Sequence, residues 1–216
     1  MTVNKQKPQF PPARTHSDRV SVTKREQLSN QWARLEQVTF DYKRSDGNWQ
    51  EQKREIYHRG HGAAVLLYNL GLETIVLTRQ FRLPAWEIGG DGFLLEVPAG
   101  IIESENPEET IRQETEEETG FIIGQPQFLF CAFATPGSVT EQLYYFSAPY
   151  EPGHRSGSGG GLVEEGEDIE VLEVNLDQAA AWIVEGKIID AKTIILIQYA
   201  QLSVFAERTG LHNSDT

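Results

Sequence analysis

Three glutamates, Glu114, Glu117 and Glu118, stand at i, i+3 and i+4 in the segment GIIESENPEETIRQETEEETGF (100–121). On a helix they share one face, where each like-charged pair costs roughly 0.2–0.5 kcal/mol. Glu116, Glu117 and Glu118 also fill the last turn before Gly120, where the helix dipole favours cations. A helix with only a structural task would more naturally end there in Lys or Arg. An acidic helix face is ordinarily just solvated, but this one works against its own helix, and that points to a bound divalent cation. Clustered carboxylates are hard oxygen donors suited to Mg²⁺, with Mn²⁺ as a substitute, and such ions also engage phosphate oxygens.

The elements that must position these acids are legible on either side. Asn106 is a favoured N-cap, Pro107 suits the first helical position, and Glu109 completes an N-x-x-E variant of the capping box. Gly120 ends the helix. Upstream, residues 33–42 alternate as a strand, Ser45 to Asn48 form a hairpin turn, and Trp49 to Tyr57 return antiparallel. Further strands are predicted at 62–69, 74–81 and 93–98, and after the helix near 127–133, 141–148 and 168–174. Between the last two, GHRSGSGGG (153–161) reads as a flexible loop. Helices are expected over 176–186 and about 190–207. Strands before and after a central helix, closed by a terminal helix, suggest an α/β/α sandwich plus a small N-terminal sheet.

The net charge of −13 in 216 residues excludes a nucleic-acid partner, which would need a basic footprint. A small phosphorylated substrate stays open, because a bound cation reverses the field locally. The first 26 residues carry six Lys and Arg against Asp18 and Glu26, so the acidic excess lies wholly beyond them. With Pro8, Pro11, Pro12 and no periodicity, residues 1–28 read as a disordered leader. Cys131 is the one cysteine and sits in an apolar run, which fits a buried small hydrophobe in a reducing compartment. No apolar run suits a membrane span and no secretory signal opens the chain, so a cytoplasmic location is expected. His16, His58, His61, His154 and His212 lack zinc-ligand partners, and His58 and His61 read as structural. Gly159-Gly160-Gly161 lacks the Lys and Ser/Thr of a P-loop.

The acidic segment resembles the Nudix box, G-x5-E-x7-R-E-U-x-E-E-x-G-U, where U is a bulky aliphatic residue. Gly100, Glu114, Glu117, Glu118, Gly120 and Phe121 fill the matching roles, and LLEVPAG resembles the strand that enters the box. The loop after Gly100 is one residue short, so the first Glu falls near Glu105 or Asn106; Gln113 replaces Arg and Thr115 the aliphatic residue. Across roughly residues 29–205 the chain resembles bacterial GDP-mannose hydrolases of the Nudix superfamily, through KREIYHRGHGAAVLLYN, RQFR, TPGSVTE, GEDIEVLE and DAKT.

That resemblance implies a Nudix-type α/β/α sandwich with a mixed sheet over residues 59–208, an N-terminal antiparallel sheet over 29–58 that joins a homodimer, and a tail at 209–216. It implies a Mg²⁺-dependent hydrolase acting on a nucleotide sugar: GDP-mannose, or alternatively ADP-ribose, with a non-catalytic ligand-binding module as the remaining possibility. The metal ligands it implies are the Ala99 carbonyl, Glu114, Glu118 and Glu167. Glu167 doubles as base with Glu117 assisting, although Glu164, Glu165 and Asp168 lie close enough to compete for the base role. Trp32 would stack a base. Lys53, Arg54 and Glu55 would approach the nucleotide, and Arg82 would clamp phosphate through its planar fork. Ala99, Gly100, Glu141 and Lys192 complete the substrate pocket.

Overall fold

The computed structural model describes residues 16–103 and 106–206. It divides into two compact units, one made of the residues up to His61 with Phe133–Gln142, the other of Gly62–Ala132 with the residues from Leu143 onward.

The first unit is a three-stranded antiparallel sheet in the order β1 (Val20–Asn30), β2 (Arg34–Lys43), β3 (Trp49–His58). The β2–β3 turn forms where expected: Asp46 Oδ1 accepts from the Asn48 amide at 3.0 Å, and Gly47 takes a positive φ of 88°. Strand β1 corrects the reading of residues 1–28 as a disordered leader, because the chain is ordered from Val20 and pairs along the whole of β2. Nearly every β1 side chain is exposed, so no apolar alternation marked it in the sequence. The leader's first 15 residues and the tail at 209–216 lie outside the described residues. Glu36 on β2 is buried and is met by Arg25, Arg34 and His58 from all three strands, so His58 is structural, as expected. The 133–142 segment is stitched to β3: Tyr57 donates to the Ser138 carbonyl at 2.8 Å, and Thr140 donates back to Tyr57 at 3.1 Å.

The second unit is built on a mixed sheet. Its strands are β4 (Gly62–Asn69), β5 (Thr74–Phe81), β6 (Phe93–Glu96), β7 (Ala99–Ile101), β8 (Gln127–Phe133), β9 (Gln142–Pro149) and β10 (Glu170–Asn175). The order is β10-β5-β4-β9-β8, with β6 beside β5 and β7 beside β4; β4 runs parallel to β9 and antiparallel to β5 and β7. Ala63 to Leu67 on β4 are fully buried, which is what an unbroken apolar run gives when both sheet faces are covered. Ala64 and Leu66 join the core formed with α3 (Leu176–Val184) and α4 (Ala191–Tyr199). By alternation Ala63, Val65 and Leu67 point to the other face. Helix α2 (Pro107–Thr119) packs against β4 and β7. A short helix α1 (Leu83–Glu87), with no buried residue, was not expected, and α4 passes into a π-helical turn at Ala200–Val204.

Helix α2 begins and ends as its sequence dictates. The Asn106 side chain accepts from the Glu108 amide, and Gly120 closes the helix at φ +74°. The glycine-rich stretch beyond differs from the expected flexible loop. Gly160 donates to the Glu118 carbonyl at 3.0 Å, Gly161 to that of Glu117 at 3.1 Å, and Ser156 to that of Gly120 at 2.8 Å. These donors satisfy the last carbonyls of a helix whose own side chains are acidic there. Its glycines permit contact more than motion: a Cβ on Gly159, at φ +71°, would lie 2.5 Å from the Glu118 carbonyl oxygen. Replacing Gly159 by Ala should therefore cost about 2 kcal/mol, read as a lower urea midpoint; an unchanged midpoint would mean that the loop does not close on the helix.

Candidate active site

The buried face of α2 consists of Pro107, Thr110, Ile111, Thr115, Glu118 and Thr119. Thr115 is fully buried, and its hydroxyl donates to the Ile111 carbonyl at 2.6 Å, which is how the core admits a hydroxyl at this position. Glu118 lies on the same face at 2% exposure, with one carboxylate oxygen 3.2 Å from the donating amide of Ala99. Burial first, and the charge of Glu114 second, push its carboxyl well above the usual range; the Ala99 hydrogen bond and Arg82 pull the other way.

Glu114 is one turn back. Burial, then the charges of Glu117, Glu167, Glu165 and Glu103, raise its carboxyl from the ordinary 4.5 to about 7. Its side chain fills the space beside Gly100, where a Cβ would lie 2.0 Å from the Glu114 carboxylate, so a side chain at position 100 would displace that carboxylate. Glu117 is raised too, by partial burial and then by Glu165 and Glu167. Glu167 sits just past the pinned loop: it accepts from the Leu162 amide at 2.9 Å and occupies space that Gly161 leaves open. Glu114, Glu117, Glu118 and Glu167 are thus within electrostatic reach of one another. Among the described residues no three acids already converge closely enough to grip one ion. The donor set nonetheless fits a hard divalent cation: it is all carboxylate, and its three helix members, Glu114, Glu117 and Glu118, are each penalised for ionising by burial and by neighbouring acids.

Arg82 and Lys192 are brought together by a residue that sequence reasoning missed. Glu96, on β6 and buried, accepts from Arg82 Nε at 3.0 Å and Nη2 at 2.8 Å, and from Lys192 Nζ at 2.9 Å. Lys192 also pairs with Asp190 at 3.1 Å. A lone acid inside the apolar run FLLEVP was the available signal, since a buried carboxylate requires partners.

The other expected substrate residues belong to the first unit. Trp32 is 69% exposed, with its ring 6.5 Å from that of Tyr57 and 5.5 Å from the Arg59 guanidinium. Glu141 is buried and pairs with Arg59 at 3.1 Å, a partner the sequence did not suggest. Lys53, Arg54 and Glu55 are exposed on β3, with Lys53 and Glu55 on one face and Arg54 on the other. The amide of Gln142 donates to His61 Nδ1, so His61 is structural as expected.

Comparison with known proteins adds two family matches. The profile described as the NUDIX domain matches residues 58–190, and the one described as the GDP-mannose pyrophosphatase NudK N-terminal domain matches residues 19–57. The chain is 45% identical over 185 residues to a protein of Pectobacterium atrosepticum named GDP-mannose pyrophosphatase, covering 85% of this chain and 95% of that one. Proteins of the same name from Klebsiella pneumoniae and Escherichia coli are 44% and 42% identical, with 85% and 87% of this chain covered and 92% and 97% of theirs. A crystal structure described as an ADP compounds hydrolase superposes with a TM-score of 0.67 at 16% identity, over 93% of this chain and all of that one, which shows the fold.

The raised carboxyls make stability depend on pH and cation together. Below the ordinary value of 4.5 both folded and unfolded chains hold the proton. As pH rises toward 7 the unfolded chain loses it first, so the metal-free protein should lose stability across that window. A divalent cation bound at these carboxylates would replace those protons, so the rise in Tm on adding one, Mg²⁺ for instance, should be small near pH 5 and larger near pH 8. A rise independent of pH would contradict the carboxylate site.

Proposed function

The chain belongs to the Nudix hydrolase family, and from that premise we propose that it hydrolyses GDP-mannose to GMP and mannose 1-phosphate with Mg²⁺. The observation that carries this reading is the carboxylate cluster of α2, joined by Glu167, whose oxygens suit a divalent cation that would in turn engage a diphosphate. The N-terminal family match and the names of the 42–45% identical relatives favour the guanosine sugar over ADP-ribose.

Glu114, Glu118, Glu167 and the Ala99 carbonyl would hold the cation. When bound, it neutralises negative charge developing on the diphosphate oxygens. Arg82 holds a phosphate oxygen by charge-assisted hydrogen bonds. Glu167 takes a proton from the attacking water, with Glu117 beside it keeping the local field negative. The water oxygen bonds to one phosphorus, the bridging P–O bond breaks, and the bridging oxygen leaves with the other phosphate. Trp32 stacks the base, and Lys53, Arg54 and Glu55 approach the nucleotide.

The reading includes a homodimer joined through the N-terminal sheet. Val20, Val22 and Leu28 on β1 are exposed apolar side chains that such a contact would cover. It also places the enzyme in the cytoplasm. Among the described residues no helix is long and apolar enough to cross a membrane.

A panel of nucleotide sugars with Mg²⁺ and product identification tests the substrate: GDP-mannose should give the highest kcat/KM, and faster turnover of ADP-ribose would overturn the choice. Glu118→Gln should lower kcat by about 10²–10³-fold while the circular dichroism spectrum is kept; retained activity would sink the metal assignment. Light scattering at micromolar concentration should return twice the chain mass, and a monomer would contradict the dimer.

A further inference from the structure

We propose that Glu96 is a positioning residue for phosphate recognition, presenting Arg82 to the substrate and itself held in place by Lys192. The proposal rests on reading the chain as a sugar-nucleotide pyrophosphatase and adds how its phosphate contact is built.

A guanidinium has two edges that can each donate a pair of parallel hydrogen bonds, one through Nε and one Nη, the other through both Nη atoms. In Arg82 the first edge is already taken, by Glu96 at 3.0 and 2.8 Å. The edge left for a phosphate is the outer one, Nη1 with the second hydrogen of Nη2. The Arg82 side chain is 40% exposed, whereas that of Glu96 is 3% exposed and that of Lys192 13%. The arginine thus reaches outward from a closed ionic base. Lys192 faces Glu96 and Asp190 together, and Asp190 is fixed in turn as the N-cap of α4, accepting from the Thr193 amide at 3.0 Å. Thr193 Oγ1 accepts from the Val97 amide at 2.8 Å, which ties α4 to the residue next to Glu96. Two cations and two carboxylates therefore form a balanced cluster whose most exposed member is Arg82. Lys192, expected from the sequence as a substrate contact, acts here through Glu96.

Position and charge give opposite forecasts, which makes the test decisive. By Coulomb's law alone, removing the Glu96 charge leaves the cluster more positive and should tighten an anion. If Glu96 orients Arg82, the same change frees the guanidinium and weakens the anion. Glu96→Gln should raise KM about tenfold, with the change falling on KM rather than kcat. Inorganic pyrophosphate binding by calorimetry with Mg²⁺ should weaken in parallel. In an Arg82→Lys background, where the two-edged fork is absent, Glu96→Gln should add nothing further. A folded Glu96→Gln protein with an unchanged or lower KM, or full additivity with Arg82→Lys, would overturn the proposal. Should Glu96→Gln fail to fold, Lys192→Met carries the test: it keeps the Arg82–Glu96 fork but removes its support, and KM should rise several-fold. An unchanged KM there would overturn the proposal. Kinetics are measured on whichever sugar nucleotide the wild type cleaves best, so an error in the choice of GDP-mannose shows in the wild type and leaves this comparison readable.

Discussion

Glu118 carries a carboxylate where the inward face of α2 would otherwise present one more core side chain, and Glu114 adds a second negative charge a turn away. Neither group can ionise cheaply without a positive partner, because burial and mutual repulsion act in the same direction on both. A helix with acids in its last turn also opposes its own dipole. Together these constraints account for much of the surrounding structure. The missing side chain at position 100 leaves the space that the Glu114 carboxylate occupies. The same constraints explain why the backbone amide of Ala99 is turned to Glu118, and why α2 needs outside donors to complete its last turn.

Those donors come from the glycine-rich loop, which links the stability of the helix to the placement of Glu167. One continuous stretch caps α2 through Ser156, Gly160 and Gly161 and then hands the chain to Leu162, whose amide holds the Glu167 carboxylate. The acid on the loop is therefore registered against the acids on the helix by backbone hydrogen bonds. Arg82 is held in a comparable way by Glu96. Its charge is not left loose but is braced by a buried carboxylate. In both places a charged side chain is held by hydrogen bonds to groups behind it, which would limit the reorganisation needed in the proposed reaction.

Much of this was legible in the sequence where local rules decide the outcome. Asn106, Pro107 and Gly120 set both ends of α2, and the apolar runs at 62–69 and 74–81 became β4 and β5 with the same limits. The acidic face was visible because helical spacing alone brings Glu114, Glu117 and Glu118 together. What escaped depends on contacts distant in the chain. Strand β1 is held by backbone pairing with its side chains in solvent, so it leaves no apolar pattern. Helix α1 buries nothing and is too short for periodicity to register. Glycines at 157–161 read as freedom, although Gly159 is there because the Glu118 carbonyl leaves no room for a side chain. Glu96 looked like one polar residue in a strand; its meaning appears only when Arg82 and Lys192, separated by more than a hundred residues, meet on it.

The central claim is that the α2 carboxylates form an ion site that a cation completes. The most direct measurement is the anomalous difference map of crystals soaked in Mn²⁺. A peak beside the carboxylates of Glu114 and Glu118, lost in Glu118→Gln crystals, is the predicted result. A peak that forms elsewhere, or one that survives the substitution unchanged, would contradict it.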